Sequence, residues 1–193
     1  FLKCPTEFLP FYYFCLSIDQ EDPLGVFYDT LKLRLVGPFE ILNGISAPTE
    51  AGGLSQWYRY FHDPPELVTV AVGPEGYHIG YFRDKPSDEP TLVIESKSWK
   101  QGKLDILGHS LPVVVSNLLR RKVSSDCPLL TKLEEFCHQH DIPDKSLKDL
   151  NTSRRKQIVC STLNGLGVSV DVTKDDVGYR PLSVTYAKLT GLL

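Results

Sequence analysis

The sequence predicts an α+β fold: a mainly antiparallel sheet with flanking helices, followed by the start of a second, more helical domain. Three observations carry this expectation. Short β-like runs succeed one another between close turn signals, the pattern of a meander. An apolar stripe at helical spacing precedes them. The patterning then changes near Val123, which divides the chain into an α+β unit over residues 1–122 and the beginning of a second unit over residues 123–193.

The elements follow in order. Pro5 and Thr6 mark a helix start, and Phe8, Phe11, Tyr12 and Cys15 recur at i, i+3, i+4 and i+7. Pro10 lies in the first turns, where it delays or kinks the helix. Asp19 to Gly25 is a loop by composition. Leu31, Leu33 and Leu35 alternate with Lys32 and Arg34, the pattern of a strand with one wet face that ends at Gly37-Pro38. Residues 43–55 form a loop rich in Gly, Ser, Pro and Asn. The β-like runs are Trp57–Phe61, Leu67–Val72, Tyr77–Phe82, Leu92–Glu95 and Leu104–Leu107. A helix follows Pro112 and ends in Arg120-Arg121-Lys122, cations suited to a helix C-terminus. Pro128 to His140 reads as another helix, with Leu129, Leu130, Leu133, Phe136 and Cys137 on one side. Lys145 to Lys156 is polar and charged. Two short strands, Gln157–Thr162 and Val168–Val172, flank Asn164-Gly165.

Composition narrows the function classes. The 193 residues are 41% hydrophobic and 23% charged, which fits a soluble globular protein able to bury a core without covalent staples. The net charge of −3 supplies no global basic field, so no direct nucleic-acid binding is expected. No run approaches the length of a membrane span, and the apolar start reads as no signal peptide. The chain opens at Phe1 and contains no methionine, the pattern of a fragment or a trimmed chain.

The cysteines Cys4, Cys15, Cys127, Cys137 and Cys160 are odd in number and irregular in spacing, which reads as reduced thiols and not a disulfide framework. Cys127, Cys137, His138 and His140 raise a zinc hypothesis, but they lack the local chelating pairs of a tetrahedral site; buried helix cysteines are the better reading and no metal is expected. There is no phosphate loop, dinucleotide fingerprint or nucleophile elbow, so neither a cofactor nor a catalytic residue is assigned. His62, His78, His109, His138 and His140 stand in no triad context. Asp175 and Asp176 are neighbours that a strand would point to opposite faces, a poor acid–base pair. The aromatic run Trp57, Tyr58, Tyr60 and Phe61 reads as sheet core in preference to a base-stacking platform, since Arg59 is the only cation beside it. Gly80 would allow another backbone to approach closely.

Five collinear stretches resemble the histone PARylation factor family: Leu35-Val36-Gly37-Pro38-Phe39-Glu40-Ile41-Leu42, Asp63-Pro64-Pro65-Glu66, Tyr77-His78-Ile79-Gly80-Tyr81-Phe82-Arg83-Asp84, Asn164-Gly165-Leu166-Gly167, and Asp176-Val177-Gly178-Tyr179-Arg180. They fall in the family's order at similar separations. Departures lie in the loops at 43–55 and 84–102 and in the segment 123–156. The resemblance implies a nuclear accessory factor that is not an enzyme on its own. It implies docking on the catalytic domain of a poly(ADP-ribose) polymerase, where the factor completes the active site for serine ADP-ribosylation of histones in the DNA damage response and DNA repair. The implied location is the nucleus, on the chromosome at damage sites, and the implied partners are the polymerase and histones.

Tyr179 and Arg180 match the family's docking pair, with Asp176 and Gly178 in the same turn, and residues 123–193 become the beginning of the polymerase-binding domain. The family's catalytic Asp-Glu dipeptide lies downstream of Gly-Tyr-Arg, and no residue here matches it, so this chain is expected to lack the catalytic carboxylate. The alternative is a stand-alone interaction domain of the SUKH class, suggested by the opening helix and meander. An independent hydrolase or metalloenzyme has no motif behind it.

Overall fold

A computed structural model describes residues 3–48, 53–85, 88–97, 102–124, 126–172, 174–175 and 178–179. Its centre is one five-stranded antiparallel meander in the order β1-β2-β3-β4-β5. The strands are β1 (Arg34–Leu35), β2 (Leu67–Val72), β3 (His78–Phe82), β4 (Leu92–Ser96) and β5 (Leu104–Gly108). The register sets Leu67 opposite Phe82, Phe82 opposite Leu92 and Ile94 opposite Ile106. The predicted α+β class and its antiparallel sheet are therefore observed.

Every residue of β3 and β4 is buried, which requires cover on both sheet faces. On one face Val70, Ile79, Tyr81 and Val93 meet α1 (Phe8–Ile18), α5 (Leu111–Arg120) and α6 (Pro128–Gln139). The predicted stripe Phe8, Phe11, Tyr12 and Cys15 is the buried side of α1. Phe11 sits at the hub: its ring lies 5.9 Å from Phe27, 6.0 Å from Phe39 and 6.2 Å from Phe136. Burial alone pushes the Cys15 thiol far above its ordinary range. On the opposite face Leu67, Phe82, Leu92, Ile94 and Leu104 close around Leu166. The packing thus runs across position 123, since Leu130, Leu133, Phe136 and Leu166 complete cores founded on the sheet.

Several local expectations are corrected. Leu31 closes a short helix, α2 (Tyr28–Leu31), and Lys32 ends it in the left-handed region at φ 59°, so only Arg34–Leu35 pair as strand. Gly37-Pro38 ends β1 and also opens α3 (Pro38–Leu42). The aromatic run at 57–61 is not a strand and not sheet core. It follows α4 (Gly53–Gln56), Tyr58 adopts φ 50°, and Asp63 accepts the Tyr60 N–H at 3.0 Å to form a turn. Phe61 is 94% exposed. The polar stretch after Lys145 forms α7 (Leu147–Gln157), opened by Ser146, whose hydroxyl accepts the Lys148 N–H. The expected strand pair around Asn164 is shorter than anticipated: β6 (Ile158–Cys160) pairs with β7 (Val168–Ser169), and β8 (Asp171–Val172) pairs with β9 (Gly178–Tyr179).

The close approach expected at Gly80 is present. A Cβ there would lie 2.3 Å from Leu67 Cδ1 and 2.7 Å from the Val68 carbonyl oxygen. Neither neighbour can retreat, because one belongs to the second core and the other to the adjacent strand. Gly80→Ala is therefore expected to destabilise the fold by about 2 kcal/mol or more, on the scale of overpacked cores. Urea unfolding of the two proteins checks this; superimposable curves would contradict it.

Candidate functional site

Four of the five motif stretches meet around the sheet, and their polar side chains are largely spent on partners within the chain. Gly37 has φ 62° and passes so close to β2 that a Cβ would meet the Thr69 carbonyl oxygen at 2.8 Å. Glu40 then accepts the Gly37 N–H through Oε2 at 2.8 Å and the Tyr58 hydroxyl through Oε1 at 2.9 Å. Burial, reinforced by that carboxylate, pushes the Tyr58 phenol up to about 12.

Asp63 and His78 join the second and third stretches. His78 Nε2 lies 2.9 Å from Asp63 Oδ1, and Nδ1 lies 2.8 Å from the Gly76 carbonyl oxygen. Both ring nitrogens are thus engaged within the chain, one by a carboxylate oxygen and the other by a backbone carbonyl oxygen. The His78 and Asp63 side chains are only 1% and 3% exposed, and the Tyr60 ring stacks over the imidazole at 4.1 Å. Such a pair has no open side for a substrate and serves to anchor the 57–66 segment on β3. Tyr77 donates to Glu95 Oε2 at 2.6 Å. Arg83 is buried, its NH2 donates to the Lys3 carbonyl oxygen at 3.2 Å, and burial pulls its guanidinium below the ordinary range.

The third and fourth stretches are joined by Arg154, a residue that sequence reasoning missed. Its Nε donates to the Leu166 carbonyl oxygen at 2.8 Å and its NH2 to that of Gly167 at 3.0 Å. Its NH1 pairs with Asp84 Oδ2 at 2.5 Å, and the guanidinium lies 5.4 Å from the Phe82 ring centre. The Asn164 turn is built to present those carbonyls. Asn164 Oδ1 accepts the Leu166 N–H at 3.1 Å, Thr162 Oγ1 accepts the Gly167 N–H at 2.9 Å, and the Asn164 carbonyl accepts the Leu104 N–H at 2.9 Å. Gly165 and Gly167 take φ 87° and 70°, which only glycine adopts without strain. In a polar run such as 147–157, nothing local distinguishes Arg154 from Arg155; the distinguishing feature is burial.

Two of the expected docking residues, Gly178 and Tyr179, lie on the last pairing described. The backbone of Tyr179 is opposite Asp171 and that of Gly178 opposite Val172. Asp176 and Arg180 lie outside the described residues. Lys85, following Asp84, pairs with Asp171 at 2.5 Å and so ties β8 to the end of the third stretch. Cys127, Cys137, His138 and His140 do not converge: among the described residues, no group of three ligating side chains could hold a metal ion. Burial pushes the Cys137 thiol up to about 11.

Breaking the Arg154 fork takes the guanidinium from the half-buried Asp84 and from the Leu166 and Gly167 carbonyls. Arg154→Met is expected to cost about 3 kcal/mol, within the range for removing one member of a buried pair. Arg154→Lys should restore only a small part, because an ammonium cannot span the three acceptors. Chemical denaturation of the three proteins tests this, and full stability in either variant would contradict it.

Comparison with known proteins agrees with the motif reading. The family model described as Histone PARylation factor 1 matches residues 1–193. The curated protein of that name from Mus musculus is 33% identical over 205 aligned positions, covering 97% of this chain and 58% of the relative. Those from Bos taurus and Danio rerio are each 32% identical with the same coverage. The chain therefore spans somewhat over half the length of these relatives. With the family match running across every residue and these relatives aligned along nearly all of it, the chain belongs to the histone PARylation factor 1 family.

Proposed function

We propose that the chain is the part of an accessory factor that docks on the catalytic domain of a nuclear poly(ADP-ribose) polymerase, in a complex that modifies histone serines at sites of DNA damage. The observation that carries this reading is the family match over residues 1–193, which includes the Gly-Tyr-Arg motif at Gly178–Arg180. The relatives' name couples histones to poly(ADP-ribosyl)ation by a factor, which accords with a helper and not a free-standing transferase.

The chemistry supports the assignment of roles. A serine hydroxyl is a weak nucleophile near neutral pH and needs a positioned base, which a second protein can bring to the polymerase. Tyr179 and Arg180 are residue types that dominate interface energetics, a rigid ring and a fork that pairs with carboxylate. Asp176 and Gly178 belong to the same motif. The buried pairs Asp63–His78 and Asp84–Arg154 hold the frame and are not offered as chemistry.

Two outcomes are expected. Incubated with labelled NAD and a histone peptide but no polymerase, the chain should transfer no label; incorporation above background would contradict the accessory role. In a full-length family member, replacing the arginine of the same Gly-Tyr-Arg motif by alanine should weaken polymerase binding by about 2 kcal/mol or more. The melting temperature should barely move, since in the docking role that side chain makes its contacts with the polymerase. Unchanged affinity, or lost affinity with a large drop in melting temperature, would contradict the docking role.

A further inference from the structure

A polar cleft of about 470 Å³ opens between the start of α1, the turn before α5 and the segment after α6. It adjoins an apolar groove of about 600 Å³ between α1 and α6, walled by Tyr13, Phe14 and Phe136; Pro10 and His140 line both. Two side chains of the cleft are unusual. Ser110 is 1% exposed and stands at the N-cap of α5, yet its hydroxyl caps no N–H and has no hydrogen-bond partner. Beside it, both ring nitrogens of His109 are buried without a partner. Burial first, and Lys145 second, hold the His109 imidazole below its ordinary range, so the ring is neutral, with one nitrogen to donate and one to accept. Buried groups of this kind are costly unless something hydrogen-bonds to them.

The charge around the cleft selects what that something is. Glu7, Glu89 and Asp141 line it, and none of them takes part in an ion pair among the described residues. Among the described residues that line the cleft, Lys145 is the single cation. A phosphate or a nucleic acid would meet an excess of like charge. A peptide group satisfies a neutral imidazole and a hydroxyl together, since it carries an N–H and a C=O. A lysine or arginine next to it complements the three carboxylates.

We propose that this cleft binds an extended basic peptide segment, its backbone on His109 and Ser110, its cationic side chain among Glu7, Glu89 and Asp141, and an apolar residue in the adjoining groove. The reading is independent of polymerase docking. The probe is a short fluorescein-labelled peptide of lysine, leucine and alanine, compared with the same peptide carrying glutamate for lysine. Fluorescence anisotropy with the 193-residue chain should show saturable binding of the lysine peptide and none of the glutamate peptide.

The combined variant Glu7→Gln, Glu89→Gln and Asp141→Asn should weaken binding by about tenfold or more at low salt. Lys145→Glu should tighten it, an opposite sign that loss of folding cannot imitate. The imidazole resonances of His109, assigned by their absence in His109→Gln, should shift on titration. Lack of saturation at any soluble concentration, equal binding of the glutamate peptide, unchanged affinity in the carboxamide variant, or a static His109 signal would each overturn the proposal. Polymerase binding is measured separately, so either reading can fail without the other.

Discussion

A buried guanidinium fastens the second half of the chain to the sheet. Arg154 reaches Asp84 at the end of β3 and the carbonyls of Leu166 and Gly167, bonds that bridge 70 and 12 or 13 positions of sequence. The cost of burying this cation is offset only because each nitrogen has an acceptor, which is why the Asn164 turn must hold its carbonyls in place. Leu166 then closes the second core over Phe82, Ile94 and Leu104. Once that face is covered, β3 and β4 are dry on both sides. The fold depends on this double cover more than on any stretch of local propensity.

This arrangement divides the motifs by task. The stretches at 63–66 and 77–84 meet through the Asp63–His78 pair and those at 77–84 and 164–167 through the Arg154 fork, while Glu40 fixes 35–42 on its own Gly37 and on Tyr58. Most of their polar side chains meet partners of the same chain, while the Tyr81 hydroxyl and the Arg83 Nε and NH1 are buried without a hydrogen bond. In the proposed docking role the recruiting surface lies elsewhere, and the pairing of β8 with β9 leads the chain from the framed region to Gly178 and Tyr179. Lys85–Asp171 is an exposed tether on that path, weak by itself but placed one residue beyond the buried Asp84. A frame that holds itself together, with the Gly-Tyr-Arg motif apart from it, suits the proposed accessory role.

Much of the fold was legible from the sequence because the signals were hydrophobic and periodic. The stripe from Phe8 to Cys15, the meander from Leu67 to Leu107 and the helix from Pro128 all follow from spacing. The failures share a cause. At 57–61 aromatic content suggested a strand, but the carboxylate of Asp63 captured the Tyr60 N–H and Tyr58 turned to positive φ. After Lys145 the helix buries a charged residue, so its stripe is invisible to a hydrophobic pattern. The partners of His78 and Arg154 lie 15 and 70 positions away, beyond any local motif. The proposed docking residues rest on resemblance alone; periodicity gives Gly178–Arg180 no role.

The central claim is that four motif stretches build the frame while the fifth meets the polymerase. Hydrogen–deuterium exchange of the chain, alone and with a polymerase catalytic domain, tests it most directly. The account predicts slow exchange at residues 78–82 and 166–167 in both states, with new protection confined to the segment around 178–180. Fast exchange at 78–82 in the free chain, or polymerase-induced protection there without any at 178–180, would contradict it.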